Sequence, residues 1–178
     1  PTPVCPTPED LETFSDLIGD RCSCERLLMS RQDVLRSKNF YYACVSFVDY
    51  QVGRIIAALK EKGMYDDTLI LFSSDHGDMM GDYNAIGKRT MVDSSCHVPL
   101  MIHVPGHGHE RRQDPCSLVD IAPTLLRYVG APYDPREFDG VDLFAPSERT
   151  YVYSQHGCGS GGTYMITDGR DKLVYSAA

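Results

Sequence analysis

Hydrophobic positions along the chain alternate between helical and strand spacing, and the longest helical stripe comes first. Tyr41, Val45, Val48, Val52, Ile55, Ile56 and Leu59 recur at i, i+4, i+7, i+11, i+14, i+15 and i+18, which predicts an amphipathic helix over 40–62 packed on a sheet. Lys60 and Lys62 complement the negative end of its dipole, and Gly63 stops it. The apolar run Leu69-Ile-Leu-Phe72 then predicts a buried strand of the parallel kind, ending abruptly at Ser73-Ser-Asp75-His76-Gly77-Asp78. Leu100 to Val104 reads as a second core strand closed by a Pro105-Gly106 turn. Asp120 is placed to cap a helix through Leu125, Leu126 and Tyr128, with Gly130 ending it. Short strands are predicted at 150–154, 164–167 and 172–175, separated by a glycine-rich turn at 157–162, as a small antiparallel sheet.

The flanks are less patterned. Residues 1–10 are proline-rich and read as a linker, and Leu11, Phe14, Leu17 and Ile18 follow at helical spacing behind Asp10, a plausible N-cap. Residues 76–95 carry glycines and scattered charges, which suits a functional loop leading into a short helix. Residues 131–150, with five acidic residues and three prolines, read as loop. The organisation expected is a linker and partial helical segment at 1–39, an α/β body at 40–149 and a small antiparallel subdomain at 150–178.

At 178 residues and 42% hydrophobic content the chain can bury a core. Its net charge of −8 argues against a nucleic-acid surface. An anionic ester substrate is still compatible, because lysine and metal charge dominate locally at a site. No apolar run reaches the roughly 18 residues that span a bilayer. Seven cysteines include no CxxC pair, the Cys22-Ser-Cys24 spacing alone is a weak zinc or redox signal, and most are expected to be free and buried.

Asp75 and His76 carry the chemistry. Open α/β sheets place their ligands just beyond the carboxyl ends of strands, and Gly77 lets the backbone turn sharply there. A carboxylate beside an imidazole suits a divalent metal or a charged ester; the plainer alternative is a strand end with a capping Asp.

The segment from Gly63 through Asp75-His76-Gly77-Asp78, Gly81-Asp82, Gly87-Lys88 and His97-Val-Pro-Leu to Gly106 closely resembles the sulfatase family of the alkaline-phosphatase-like superfamily. Tyr42-Ala-Cys-Val-Ser-Phe-Val-Asp49, Ser117-Leu-Val-Asp-Ile-Ala-Pro-Thr-Leu-Leu126 and Thr167-Asp-Gly-Arg-Asp-Lys-Leu-Val-Tyr175 extend the match. The likeness covers roughly residues 40 to 176, in the order expected of a sulfatase's C-terminal half.

The resemblance implies a mostly parallel sheet flanked by helices, a small C-terminal antiparallel sheet, and hydrolysis of sulfate esters. It implies that Asp75 is a ligand of calcium, with magnesium or manganese as alternatives. It places His76 on the metal or the attacked ester, where the family has Asn or His, and Lys88 on the sulfate. The family's nucleophile, a formylglycine made within a Cys/Ser-x-Pro-x-Arg motif, and its N-terminal pair of aspartates have no counterpart here. Cys5-Pro-Thr-Pro-Glu9 has the wrong spacing and lacks the arginine. A fragment of a larger enzyme is therefore expected, inactive by itself, whose partners are the missing N-terminal half and a sulfated small molecule or glycan. Localisation stays open among secreted, periplasmic and lysosomal.

Two rivals remain: a phosphonate monoester or phosphodiester hydrolase of the same superfamily, and a non-catalytic module derived from a sulfatase. Where the family often has Gly-Asp-His, this chain has Gly81-Asp82-Tyr83, and His97 replaces a common arginine. Asp78 and Asp82 read as loop and capping carboxylates. His103, His107 and His109 lack a carboxylate or thiol at zinc spacing and predict no metal site. His156, ahead of Gly157-Cys158-Gly159, is a candidate pocket-lining residue.

Overall fold

Ser30 begins the described chain's longest element. Its hydroxyl accepts from Asp33 N at 3.2 Å, while its own N–H donates to Asp33 Oδ2 at 3.0 Å. This reciprocal capping box satisfies two orphan donors and starts helix α1, Arg31–Glu61, well ahead of the predicted position 40. The structure, a computed structural model, describes residues 27–177. The predicted linker and the Leu11–Ile18 helical spacing lie outside them. At the other end of α1, Gly63 adopts φ 66°, and Met64 N–H donates back to Leu59 O at 2.9 Å. Lys60 lies 4.7 Å from the centroid of the Tyr65 ring, a cation–π contact that fixes the exit.

The chain divides into two units, at His109 and Glu110. In the first, β1 (Ile70–Ser73) pairs with β4 (Leu100–His103), in register from Ile70 opposite His103 to Ser73 opposite Leu100. The pair is antiparallel, where the apolar run alone suggested a parallel neighbour. Largely parallel sheets commonly carry one antiparallel strand, so the pairing is compatible with that architecture. All four β1 residues are half-buried rather than buried.

Between these strands lies a hairpin that the sequence pattern did not reveal. β2 (Met79–Met80) and β3 (Ile86–Gly87) pair antiparallel, Met79 opposite Gly87. Strands of two residues are too short to show a period. Met79 and Ala85 are each only 1% exposed and anchor the hairpin, and the expected short helix follows as α2, Asp93–Cys96.

Two expectations need correction. The stripe on α1 does not pack away: Tyr41, Val45, Val48 and Ile55 are all exposed, and only Val34 of this helix is buried. The cysteines are free but not buried, since Cys44, Cys116 and Cys158 are exposed and Cys96 is half-buried. Cys5, Cys22 and Cys24 lie outside the described residues.

The second unit is built around a buried carboxylate. Asp120 does not cap α3 (Ile121–Tyr128) with its side chain, contrary to the helix-cap reading. It is fully buried and accepts from Ser117 N at 2.7 Å, Val141 N at 2.9 Å and Arg149 Nη1 at 2.8 Å, with Arg149 Nη2 on its second oxygen. Gly140 permits this approach, because a methyl group there would collide with the Val119 carbonyl. The three C-terminal strands form an antiparallel sheet in the order β5 (Val152–His156), β6 (Thr163–Thr167), β7 (Lys172–Ser176). Tyr153, Tyr164 and Tyr175 stack across it with centroids 6.4 Å apart at each step.

Candidate active site

β1 ends at Ser73, so Ser74, Asp75, His76 and Gly77 project beyond the carboxyl end of the strand. The turn is held by its own polar atoms. Ser74 Oγ donates to His76 O at 2.8 Å, and His76 N donates to Asp75 Oδ1 at 3.0 Å. Gly77 N–H donates to Ser95 O at 2.8 Å, which ties the turn to α2. A methyl group on Gly77 would run into the Ser94 carbonyl. This glycine is required by the close approach of two backbones. The sequence signal was the glycine itself, but the partner lay out of sight.

His76 has a defined tautomer. Its Nδ1 lies 2.8 Å from Gly77 O, and a carbonyl can only accept, so Nδ1 carries the proton. Nε2 then presents a lone pair. Lys88 Nζ meets that nitrogen, and an ammonium can only donate. The same Nε2 sits 3.4 Å from Asp75 Oδ2. Desolvation pushes the Asp75 carboxyl up, but the His76 backbone N–H and the neighbouring Lys88 ammonium hold it below the ordinary carboxylate range. Its side chain is 84% exposed, against 32% for His76, so an ionised oxygen pair faces outward beside the imidazole.

The hairpin brings Lys88 here. With Met79 opposite Gly87, the residue after β3 returns to the level of the Asp75 turn. The loop between the strands is tightly wound: Gly81, Tyr83 and Asn84 all have positive φ, and Gly81 N–H donates to Ala85 O at 2.8 Å. Arg89 follows Lys88 with φ 78°, and Thr90, 7% exposed, places its hydroxyl 3.3 Å from Met79 Sδ. Left-handed backbone at non-glycine residues costs about 1–3 kcal/mol each and persists where the surroundings over-determine it.

Asp75, His76 and Lys88 therefore converge. Asp82 opens the turn Asp82–Asn84, its carbonyl accepting from Ala85 N at 3.1 Å, and Asp78 is half-buried at the entry to β2. His97 is exposed at the end of α2, its N–H donating to Asp93 O at 2.9 Å. His103 stacks on Tyr65 with ring centroids 4.3 Å apart, while His107 and His109 are exposed. Among the described residues no group of three or more His, Cys, Asp or Glu side chains could hold a metal ion. His156 belongs to the second unit, at the end of β5.

A family model described as Sulfatase matches residues 3–131. The chain is 31% identical over 168 residues to an arylsulfatase of Clostridium perfringens (strain 13 / Type A), covering 88% of this chain and 35% of that protein. It is 39% identical over 122 residues to a choline-sulfatase of Rhizobium meliloti (strain 1021), covering 68% of this chain and 24% of that one. Among solved structures, the phosphonate monoester hydrolase SpPMH from Silicibacter pomeroyi superposes with a TM-score of 0.87 at 31% identity, over 100% of this chain and 42% of its own. The chain thus spans about a third or less of the curated relatives it matches.

Proposed function

The chain belongs to the sulfatase family and has its alkaline-phosphatase-like α/β fold, and from that premise we propose that it supplies part of the active site of a sulfuric ester hydrolase. The observation that carries this reading is the convergence of Asp75, His76 and Lys88 beyond the end of β1.

Each side chain has a role suited to an anionic ester. Lys88 places a mobile ammonium where it can neutralise the non-bridging sulfate oxygens as charge moves during cleavage. His76 is held in one tautomer by Gly77 O, so its Nε2 accepts from Lys88 or binds a cation. Asp75 offers an ionised, outward-facing carboxylate, a hard oxygen donor that fits calcium or magnesium. A divalent cation bound there would supply positive charge to the ester oxygens. Calcium takes six to eight oxygen ligands. One carboxylate is not enough, so the remaining donors, and the formylglycine nucleophile, belong in this proposal to polypeptide beyond the described residues. The substrate class is a sulfated small molecule or sulfated glycan.

A second reading is favoured by one observation. A solved structure matching the whole chain is named for phosphonate monoester hydrolysis, and a tetrahedral phosphonate anion would suit the same lysine and a cation held by the same carboxylate. One experiment weighs both. The chain is grafted in place of the matched part of the S. pomeroyi hydrolase and assayed with 4-nitrophenyl sulfate and a 4-nitrophenyl phosphonate monoester. Turnover of the sulfate that is lost in Asp75→Ala supports the first reading. Turnover of the phosphonate alone selects the second, and turnover of either by the 178-residue chain unaided would overturn the fragment reading.

A further inference from the structure

Resting on that reading and deepening it, we propose that Ser74 is a positioning residue for His76. Its hydroxyl holds the 76–77 peptide in the orientation that keeps the ring proton on Nδ1, and so presents the Nε2 lone pair to Lys88 or to a cation.

Two adjacent serines leave β1 with separate tasks. Ser73 Oγ donates to Pro99 O at 2.8 Å, which closes the strand against the entry to β4. Ser74 is half-buried, and its Oγ turns into the loop to donate to His76 O at 2.8 Å. That carbonyl and the Gly77 N–H belong to one peptide unit. The N–H edge is held as well, by Ser95 O at 2.8 Å. The plane of peptide 76–77 is therefore pinned from both sides, once by a side chain and once by the backbone of α2.

The imidazole depends on that plane. Nδ1 donates to Gly77 O at 2.8 Å, and the reach from the ring to this oxygen is set by rotation about the His76 Cα–C bond. On its other side His76 is held by the bond from its N–H to Asp75 Oδ1 at 3.0 Å, which leaves that rotation free. Gly77 has no Cβ, so its own dihedrals can absorb a change at His76 with little steric resistance. Without the Ser74 hydroxyl, the carbonyl of His76 loses the side chain that sets the rotation, and Gly77 O drifts from Nδ1. Which ring nitrogen carries the proton is decided by the hydrogen bond that the other one makes. A neutral ring protonated on Nε2 has no lone pair there, so it can neither accept from Lys88 nor bind a cation.

The test is nitrogen-15 NMR of the imidazole rings in the full 178-residue chain, at about pH 8.5, where an ordinary imidazole is neutral. His76 is assigned by subtraction in His76→Gln, and urea midpoints confirm that each variant is folded. Wild type should show His76 protonated on Nδ1. Ser74→Ala should shift the ring toward the Nε2-protonated form, and Ser74→Thr, which keeps a hydroxyl, should restore the wild-type pattern. In the S. pomeroyi graft described above, Ser74→Ala should lower kcat/KM for the aryl ester about 10–100-fold, the usual cost of losing a group that orients a ligating histidine. Ser74→Thr should recover most of that loss. A wild-type His76 protonated on Nε2 would overturn the proposal before any variant is made. So would an unchanged tautomer in Ser74→Ala or, if that variant does not accumulate, in Ser74→Cys, which is similar in size but a weak donor. A tautomer that shifts as expected while the graft turns over ester at the wild-type rate would support the role of Ser74 and overturn the catalytic reading of His76.

Discussion

The ammonium of Lys88 and the Nε2 of His76 meet, although 12 positions separate them in the chain. The contact depends on the short β2–β3 hairpin, which folds Lys88 back to the end of β1, and on Gly77 O, which fixes the His76 tautomer. In the grafted enzyme Lys88→Met should leave the fold intact and lower kcat/KM for the aryl ester by about 10²–10³-fold, the usual cost of losing one donor to a developing oxyanion. Steady-state kinetics with circular dichroism check it. A change below threefold would remove Lys88 from the chemistry.

Gly77 is the joint between the Asp75 turn and α2. Adding a methyl group drives it into the Ser94 carbonyl, and neither backbone can yield without breaking the 2.8 Å bond from Gly77 N to Ser95 O. Gly77→Ala should therefore destabilise the chain by about 1–3 kcal/mol, the ordinary range for overpacking. A urea titration reads this directly. Unchanged stability would mean that the turn has room that the geometry denies it.

Much of the site was legible in the sequence because its signals are local. An apolar run that stops at Asp75-His76-Gly77, and the Gly87-Lys88 step, need no knowledge of tertiary contacts. The capping box of α1 was also local, but Asp33 stands where glutamate or glutamine is usual, and the helix start was read too late. What escaped is non-local. The β2–β3 hairpin has strands too short for a period, and Asp120 looks in sequence like any residue before a helix. Only Arg149 and Val141, 29 and 21 positions away, make it a buried hub. The stripe on α1 correctly predicted a helix, but periodicity does not say whether the covering partner lies within the same chain.

The Asp120–Arg149 pair gives the second unit an acid-sensitive core. Desolvation raises the Asp120 carboxyl, yet the Arg149 bonds and the Val141 and Ser117 N–H groups outweigh it and hold the folded value below the ordinary one. The stabilisation from this ionised group is thus fully present above the unfolded value of about 3.9 and is lost as pH falls through the folded value. Asp120→Asn leaves the Arg149 guanidinium short of its counter-charge, which should cost about 3–5 kcal/mol. It should also flatten the fall in stability below about pH 4. Denaturant midpoints across pH 2 to 7 test both, and an unaltered acid limb would assign that sensitivity to other carboxylates.

Calcium affinity tests whether the site is complete within this chain. Asp75 contributes one exposed carboxylate, and among the described residues no set of three or more metal-ligating His, Cys, Asp or Glu side chains surrounds it. His76 adds an imidazole nitrogen already met by the Lys88 ammonium, a softer and less suitable donor for calcium than oxygen. A hard cation that takes six to eight oxygens gains little from such a set, and the Lys88 charge beside it repels a second cation. Calorimetry on the 178-residue chain should therefore find calcium binding no tighter than about the millimolar range seen for weak oxygen sites, with Asp75→Ala scarcely altering it. In the graft, if polypeptide beyond this chain supplies the remaining oxygen donors as proposed, binding should tighten and become sensitive to Asp75→Ala. Micromolar binding by the chain alone, abolished by that substitution, would mean that its own residues complete the coordination sphere and that no second segment is needed to load the metal.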